Sequence, residues 1–364
     1  MAEVVAQSPR HPVDPFNQPI KGVSLWRDAW RRLKKNLMAI VGLTLVMLYS
    51  LLSLLAPILP IHSYKHQVLD HQYFPPSLTK TAGELLYEKK EHHLTQTAKN
   101  EGRGELNEKE KEALLRFRQK IEHETLVFDG KTVRVNERRY ILGTDALGRD
   151  LLARIIYGGQ VSIAIGLVGT LTAVFIGMII GALAGYLGGT FDYLSMRVVD
   201  VMYGLPYMLL VIIFMAVFGR SIINLFLCLA LVSWLTLSRV VRGQIISLKN
   251  SDFVQAARVV GANTGRIVFR HLVPNTLGVV AVFTTLQIPS FILMESFLSY
   301  LGLGVQAPLA SWGSLVRDGV DGMSNYPWML FFPGLAMTVF LFSMNFLGDG
   351  LRDALDPQSR RGNS

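Results

Sequence analysis

The chain has 364 residues, half of them hydrophobic and only 17% charged, with a formal net charge of +9. A charged share well below the roughly one quarter typical of soluble domains argues against an ordinary water-soluble fold, and the basic balance comes without any nucleic-acid motif, so no nucleic-acid partner is expected. The lone cysteine, Cys228, excludes an internal disulfide.

Residues 1–36 form a tail. Met1 to Gly22 is polar and proline-containing and reads as loosely held. In Ser24 to Asn36, SLWRDAWRRLKKN, Leu25, Ala29 and Leu33 recur at helical spacing beside Trp26 and Trp30, among Arg27, Arg31, Arg32, Lys34 and Lys35. That pattern suits an amphipathic helix on an anionic membrane surface, or equally a plain basic flank to the next span. Residues 37–59 are uncharged and long enough to cross a bilayer, giving a first transmembrane helix. The polar region before it is too long, and its apolar core too extended, for a cleaved signal. The preceding basic cluster puts the N-terminus in the cytoplasm.

Residues 60–141 turn polar and form an extracytoplasmic insertion, expected to be a small mixed α/β cap with little core. Thr81 with Glu84, and Asn107 with Glu110, have capping-box spacing and open two helices. Leu114, Phe117 and Ile121 stripe the second. Leu126 to Val135, LVFDGKTVRV, reads as a hairpin turning at Asp129-Gly130. His62, His66, His71, His92, His93 and His123 all fall here without an HExxH or cysteine–histidine framework, so solvated histidines rather than a metal site are expected.

Further spans follow by the same length test: Val161 to Tyr186, Val201 to Phe218, Ile222 to Ser238, Thr276 to Met294 ending at Glu295, and Tyr326 to Leu347. The chain is thus an all-α membrane protein of six transmembrane helices, with a core over 142–350 and a cytoplasmic tail over 351–364. Gly177, Gly181 and Gly185 make a small-residue ridge suited to helix packing rather than substrate contact. Charge agrees with this parity: Arg239, Arg242, Lys249, Arg258, Arg266 and Arg270 crowd one loop, and Arg352, Arg360 and Arg361 the tail, both expected inside.

Asp252 to Asn275, DFVQAARVVGANTGRIVFRHLVPN, is the longest polar stretch between spans on that face. Ser251 or Asp252 caps a short helix, Ala256 and Ala257 keep its surface low, Gly261 permits a sharp turn into a second helix, and Pro274 ends the segment. The result is a helix–turn–helix plug for a soluble partner. The chain carries no GxxxxGK[ST] phosphate loop with which to bind ATP. No catalytic constellation marks an enzyme, and the nearly charge-free spans without an evident repeat argue against an ion-coupled carrier.

Glu295 has two readings, a gate or pore pair and, preferred, a helix-end carboxylate satisfied at the interface. Asp192, Arg197 and Asp200 form either an inner-face ion network or a solvated loop. Arg317 and Asp318 belong to an outer loop facing an external protein.

The plug resembles the EAA loop of ABC-importer permeases in Gln255-Ala256-Ala257, Gly261, Ile267 and Pro274, with Gln255 where that family usually has glutamate. LGTDALGRDLLARIIYGG (142–159) and GYLGGTFDYLSMRVVDV (185–201) are similar to segments of peptide and nickel permeases. ESFLSYLGLGVQAPLASWG (295–313), GDGLRDALDP (348–357), SLWRDAW and VRGQIISLK look most like the C-type membrane subunit of oligopeptide importers. The resemblance covers most of the chain apart from its first 20 residues and the insertion, which is longer than expected for that subunit.

The resemblance implies the type I permease fold and a half-pore in the bacterial cytoplasmic (inner) membrane. The half-pore pairs with a homologous second permease subunit, rests on two ATPase subunits that hold ATP and Mg, and receives peptide from an extracytoplasmic substrate-binding protein. This chain itself binds no cofactor. ATPase coupling falls to Asp252, Gln255, Ala256, Ala257, Gly261, Ile267 and Pro274, and Glu295, Arg317 and Asp318 are gate or outer-face candidates. The alternative cargo is a dipeptide, a nickel chelate or another small solute. The insertion, outside and charged, is expected to dock or orient the binding protein.

Overall fold

The computed structural model describes residues 25–128 and 130–355. The expectations for Met1 to Gly22, Ser24, Asp129, Pro357, Arg360 and Arg361 lie outside the described residues.

A short helix, α1 (Leu25–Leu33), lays Ala29 and Leu33 against Ala39 and against Leu351 and Ala354 near the end of the chain. Ala29 and Leu33 are therefore covered by protein, while Trp30 is exposed. Asn36 then caps α2 (Leu37–Leu54), its side chain accepting from the Ala39 amide.

The insertion follows. Both expected capping boxes form, opening α3 (Ala82–Asn100) and α4 (Glu108–His123). Two three-residue strands, β1 (Leu126–Phe128) and β2 (Lys131–Val133), pair antiparallel with Leu126 opposite Val133. Gly130 supplies the positive φ, +76°, that the turn between them requires.

The cap does have a core, built from Phe74, Ala82, Leu85, Leu86, Ile121 and Tyr140. His71 belongs to it. The expectation of solvated histidines holds for His92, His93 and His123 but not for His71, which is 0% exposed. Its Nε2 bonds to Asn136 Oδ1 at 2.8 Å and its Nδ1 to the Tyr140 hydroxyl at 2.9 Å. Because the amide oxygen can only accept, Nε2 carries the proton and Nδ1 accepts from tyrosine, the pattern of a neutral ring. Burial correspondingly holds the His71 pKa below its usual value. Among the described residues no group of three or more acids, histidines or cysteines could hold a metal.

The second span begins earlier than its apolar stretch suggests. Asp150 caps α5 (Leu151–Leu187) by accepting from the Leu152 amide at 3.0 Å, and burial pushes its carboxyl up to about 6. The charge of Arg154 interrupts the uncharged run, yet the helix passes through it. Arg154 sits buried against Asp145 at 2.6 Å rather than facing lipid.

The third expected span, Val201 to Phe218, is not one helix. After Gly188 and Gly189, both at positive φ, the chain runs as α6 (Gly189–Gly204) and then α7 (Tyr207–Phe218), which meet at 83°. Pro206 has no amide hydrogen and disfavours the helical region for the residue before it. Leu205 accordingly adopts φ −89°, ψ 138°.

The fourth span, α8 (Ile222–Leu248), continues to Leu248 through Arg239 and Arg242. The later helices are α9 (Asp252–Val259), a single turn α10 (Thr264–Arg266), α11 (Val273–Tyr300), α12 (Trp312–Val320) and α13 (Trp328–Leu355). Five helical runs among the described residues are long and apolar enough to cross a membrane, or six if the bent pair α6–α7 counts as one span.

The glycine ridge of α5 packs against α8. A Cβ built on Gly177 would stand 2.9 Å from Leu237 Cβ, and one on Gly185 2.9 Å from the Arg242 carbonyl oxygen, while Gly181 lies against the Ser238 carbonyl. At each of the three glycines backbone atoms of α8 are among the nearest neighbours, so rotating a side chain away cannot make room. Gly181→Leu should lower the Tm of the detergent-purified protein by the equivalent of at least ~1–3 kcal/mol of overpacking. Gly243→Ala, with nothing within 4 Å of the added carbon, should leave it unchanged.

His71 also makes the cap acid-sensitive. A histidine whose folded pKa is depressed stays neutral when folded while the unfolded chain takes up a proton, so its share of stability is present above the unfolded value of about 6.5 and is lost as pH falls below it. Hydrogen exchange of α3 and of the segment around Tyr140 should quicken on acidification through that window. In His71→Gln that extra pH dependence should be missing.

Candidate functional site

The segment after α8 folds as a compact hairpin. Ser251 occupies the cap position of α9, but its hydroxyl donates to the Leu248 carbonyl at 2.6 Å and does not cap. Asp252, exposed in the first turn, complements the helix dipole instead. Gln255 Nε2 donates to the Asn250 carbonyl at 2.9 Å.

Gly261, at φ +82°, ends α9 with the Ala262 amide bonded to the Ala257 carbonyl, a Schellman-type closure. Asn263 Oδ1 then accepts from the Arg266 amide and starts α10. The expectation that Pro274 ends the segment is corrected. A π-helical turn, Ile267–Leu272, joins α10 to α11, and the chain stays helical from Thr264 to Tyr300 with Pro274 in the first turn of α11. A prolyl ring cannot sit in a regular α-turn without losing a bond and striking a carbonyl, and the wider π turn lies where that conflict would fall.

One face of the hairpin is fixed to the membrane core. Val254, Ile267, Val268 and Leu272 are buried in a cluster with Ala182 of α5 and Leu237, Val241 and Ile245 of α8. The hairpin is thus clamped to the two helices that meet at the glycine ridge.

The opposite face is apolar at its tip. Val259 and Val260 are each 87% exposed, and Phe253, Phe269, Arg266 and Arg270 of the same segment are exposed as well. An exposed apolar patch with a charged rim is the anatomy of a protein interface.

Of the expected coupling residues, Asp252, Gln255, Ala256, Gly261 and Pro274 are exposed, Ala257 is half-buried, and Ile267 is buried and holds the hairpin from within. Sequence reading passed over Val259 and Val260, although two adjacent valines just before a glycine in a polar stretch were a usable signal.

Beside the hairpin, Asp192, Arg197 and Asp200 do not form a network among themselves. Asp192 takes Arg242 in a bidentate pair at 2.5 and 2.6 Å, and Asp200 takes Arg239 at 2.6 Å. Arg197 lies over the Tyr193 ring. These pairs tie α6 to α8 and explain how α8 carries two arginines.

At the other end, the preferred reading of Glu295 is corrected. It does not end the helix but is 0% exposed inside α11, which runs on to Tyr300. Its Oε1 accepts from Ser299 Oγ at 2.5 Å and Ser311 Oγ at 2.6 Å, joining α11 to the residue that caps α12, while Oε2 is buried without a partner. Arg317 and Asp318 are exposed on α12. Asp318 reaches Arg154 at 3.3 Å, and so extends the buried Asp145–Arg154 pair.

Comparison with known proteins agrees with this architecture. The family described as the binding-protein-dependent transport system inner membrane component matches residues 177–361, and the N-terminal TM domain of oligopeptide transport permease C matches residues 24–76. The chain is 48% identical to the oligopeptide transport system permease protein OppC of Haemophilus influenzae over 62% of this chain and 72% of that one. It is 38% identical to OppC of Escherichia coli over 94% of each chain. With the dipeptide transport system permease protein DppC of Bacillus subtilis it shares 35% identity over 98% of this chain and 93% of that one. The chain belongs to the family of inner membrane components of binding-protein-dependent transport systems.

Proposed function

We propose that this chain is a transmembrane permease subunit, of the type I fold, in an ATP-driven ABC importer that moves oligopeptides across the cytoplasmic membrane. The observation that carries this reading is the hairpin of α9 and α10, clamped on one face to α5 and α8 and apolar on the other. Two ATPase subunits that bind ATP and Mg dock there, and this chain hydrolyses nothing itself. A homologous permease subunit completes the pore, and both termini lie in the cytoplasm.

Closure of the ATPases on ATP pushes the hairpin. Because Val254, Ile267 and Leu272 share one core with α5 and α8, that push tilts the helices as a rigid body and alternates access to the pore. Gln255 serves the hairpin from within, through a donor that glutamate lacks.

An extracytoplasmic binding protein delivers the cargo. The insertion offers it a charged surface around a cavity of about 600 Å³ lined by Glu84, Glu88, Arg118 and Glu122 among others. A dipeptide cargo is the second reading, favoured by the near full-length similarity to the dipeptide permease of Bacillus subtilis.

Uptake of a labelled oligopeptide by cells carrying the complete system tests the cargo, and dipeptide uptake alone would support the second reading. For the coupling surface, Val259→Asp with Val260→Asp should reduce both ATPase co-purification and uptake by tenfold or more while membrane insertion stays normal. Undiminished ATPase recovery would place the docking surface elsewhere.

A further inference from the structure

The break between α6 and α7 lies inside an apolar stretch, where Leu205 and Pro206 leave the helix. Irregular backbone at membrane depth is tolerated only where protein covers it or a cavity faces it. Here an open-sided cavity of about 310 Å³ faces it, bordered by α6, α7, α8 and α11 and lined by Tyr203, Tyr207, Ser233, Thr236, Gln287 and Met294 among others. No Asp, Glu, Lys, Arg or His lines it. Its volume is at the lower end of the roughly 300–1,000 Å³ of ligand sites.

The fold pairs the hydroxyls of Tyr203 with Thr236 and of Tyr207 with Met294 but leaves another polar group of this cavity unused. A serine within a helix commonly bonds back to a carbonyl one turn earlier, as Ser343 does to Val339 and Ser296 to Ile292. Ser233 Oγ makes no such bond and is buried without a partner. Beside it stand the Gln287 amide, which can donate and accept, and the hydrogen-bonded hydroxyls of Tyr203 and Thr236. Phe291 and two thioethers, Met202 and Met294, complete an adaptable apolar wall.

Below Tyr203 the α6–α8 gap is bridged by ion pairs. Arg239 lies over the Tyr203 ring at 4.1 Å and pairs with Asp200, and Arg242 pairs with Asp192. Separation of α6 from α8 would open the cavity at this end.

We propose that this cavity is a peptide subsite on the translocation path: Ser233, Thr236 and Gln287 bind the main-chain amides of the passing peptide, and the apolar wall receives uncharged side chains. The inference rests on the importer reading above. Main-chain amides fit because each peptide unit offers one donor and one acceptor whatever its side chain. A wall without charge then discriminates little between cationic and anionic peptides.

That last property gives the test. In the complete transporter, uptake of a lysine-containing and a glutamate-containing peptide is compared for wild type and Ser233→Asp, with affinity for the binding protein measured alongside. A path residue should shift the lysine-to-glutamate ratio about tenfold at unchanged binding-protein affinity. An unchanged ratio in a variant that transports would overturn the subsite, whereas absence of peptide uptake by wild type would overturn the importer reading instead.

If Ser233→Asp does not assemble, Ser233→Cys in a Cys228→Ala background decides through the rate of maleimide labelling. Slowing by transported peptide is expected. Labelling that peptide does not change, as when a lipid chain or the second permease subunit fills the space, contradicts the proposal.

Discussion

The close approach of α5 and α8 governs the half of this molecule that carries the hairpin. Gly177, Gly181 and Gly185 bring one helix backbone against the other from Trp234 to Ile245. Lipid tails supply no hydrophobic drive for two apolar helices to associate, so dispersion over a close backbone contact has to hold the pair. The hairpin then builds on the pair: Val254 and Leu272 fill the surface that Ala182, Val241 and Ile245 present. Any force on the exposed valines passes into a unit with little internal slack.

Charge inside α5, α8 and α11 is met by a polar partner in each case. Arg154 meets Asp145, Arg239 meets Asp200, Arg242 meets Asp192, and Glu295 meets two serine hydroxyls. Each lies beyond the span that a length test based on uncharged residues draws, and each helix in fact continues to include it. Pairing lowers the cost of carrying an ionisable group into a membrane helix, and the pairs join helices distant in sequence. Asp318 and Arg154 join α12 to α5, and Glu295 and Ser311 join α11 to the start of α12.

Much of this was readable from residues alone. The capping boxes at Thr81 and Asn107, the turn at Gly261 and the packing role of the glycine ridge are local or periodic features, and all of them form. Hydropathy located the spans but not their continuity. It ran across Pro206, where local sterics break the helix, and it stopped short of Arg154 and just before Glu295, whose partners Asp318 and Ser311 belong to α12 and its cap. His71 was misjudged for the same reason, since its partner Asn136 enters from beyond two intervening helices. In the hairpin, the pattern of a known loop drew attention to Ile267, which is buried, and away from Val259 and Val260, which are not.

The central claim is that the hairpin, α5 and α8 move together. Spin labels at Val260 and at Leu187, the exposed last residue of α5, report on it in the assembled transporter, with Cys228 replaced by alanine. Their distance should be the same with and without ATP, while the distance from Val260 to the matching hairpin of the second permease subunit changes. A change within this chain, with the two hairpins keeping their separation, would contradict the account.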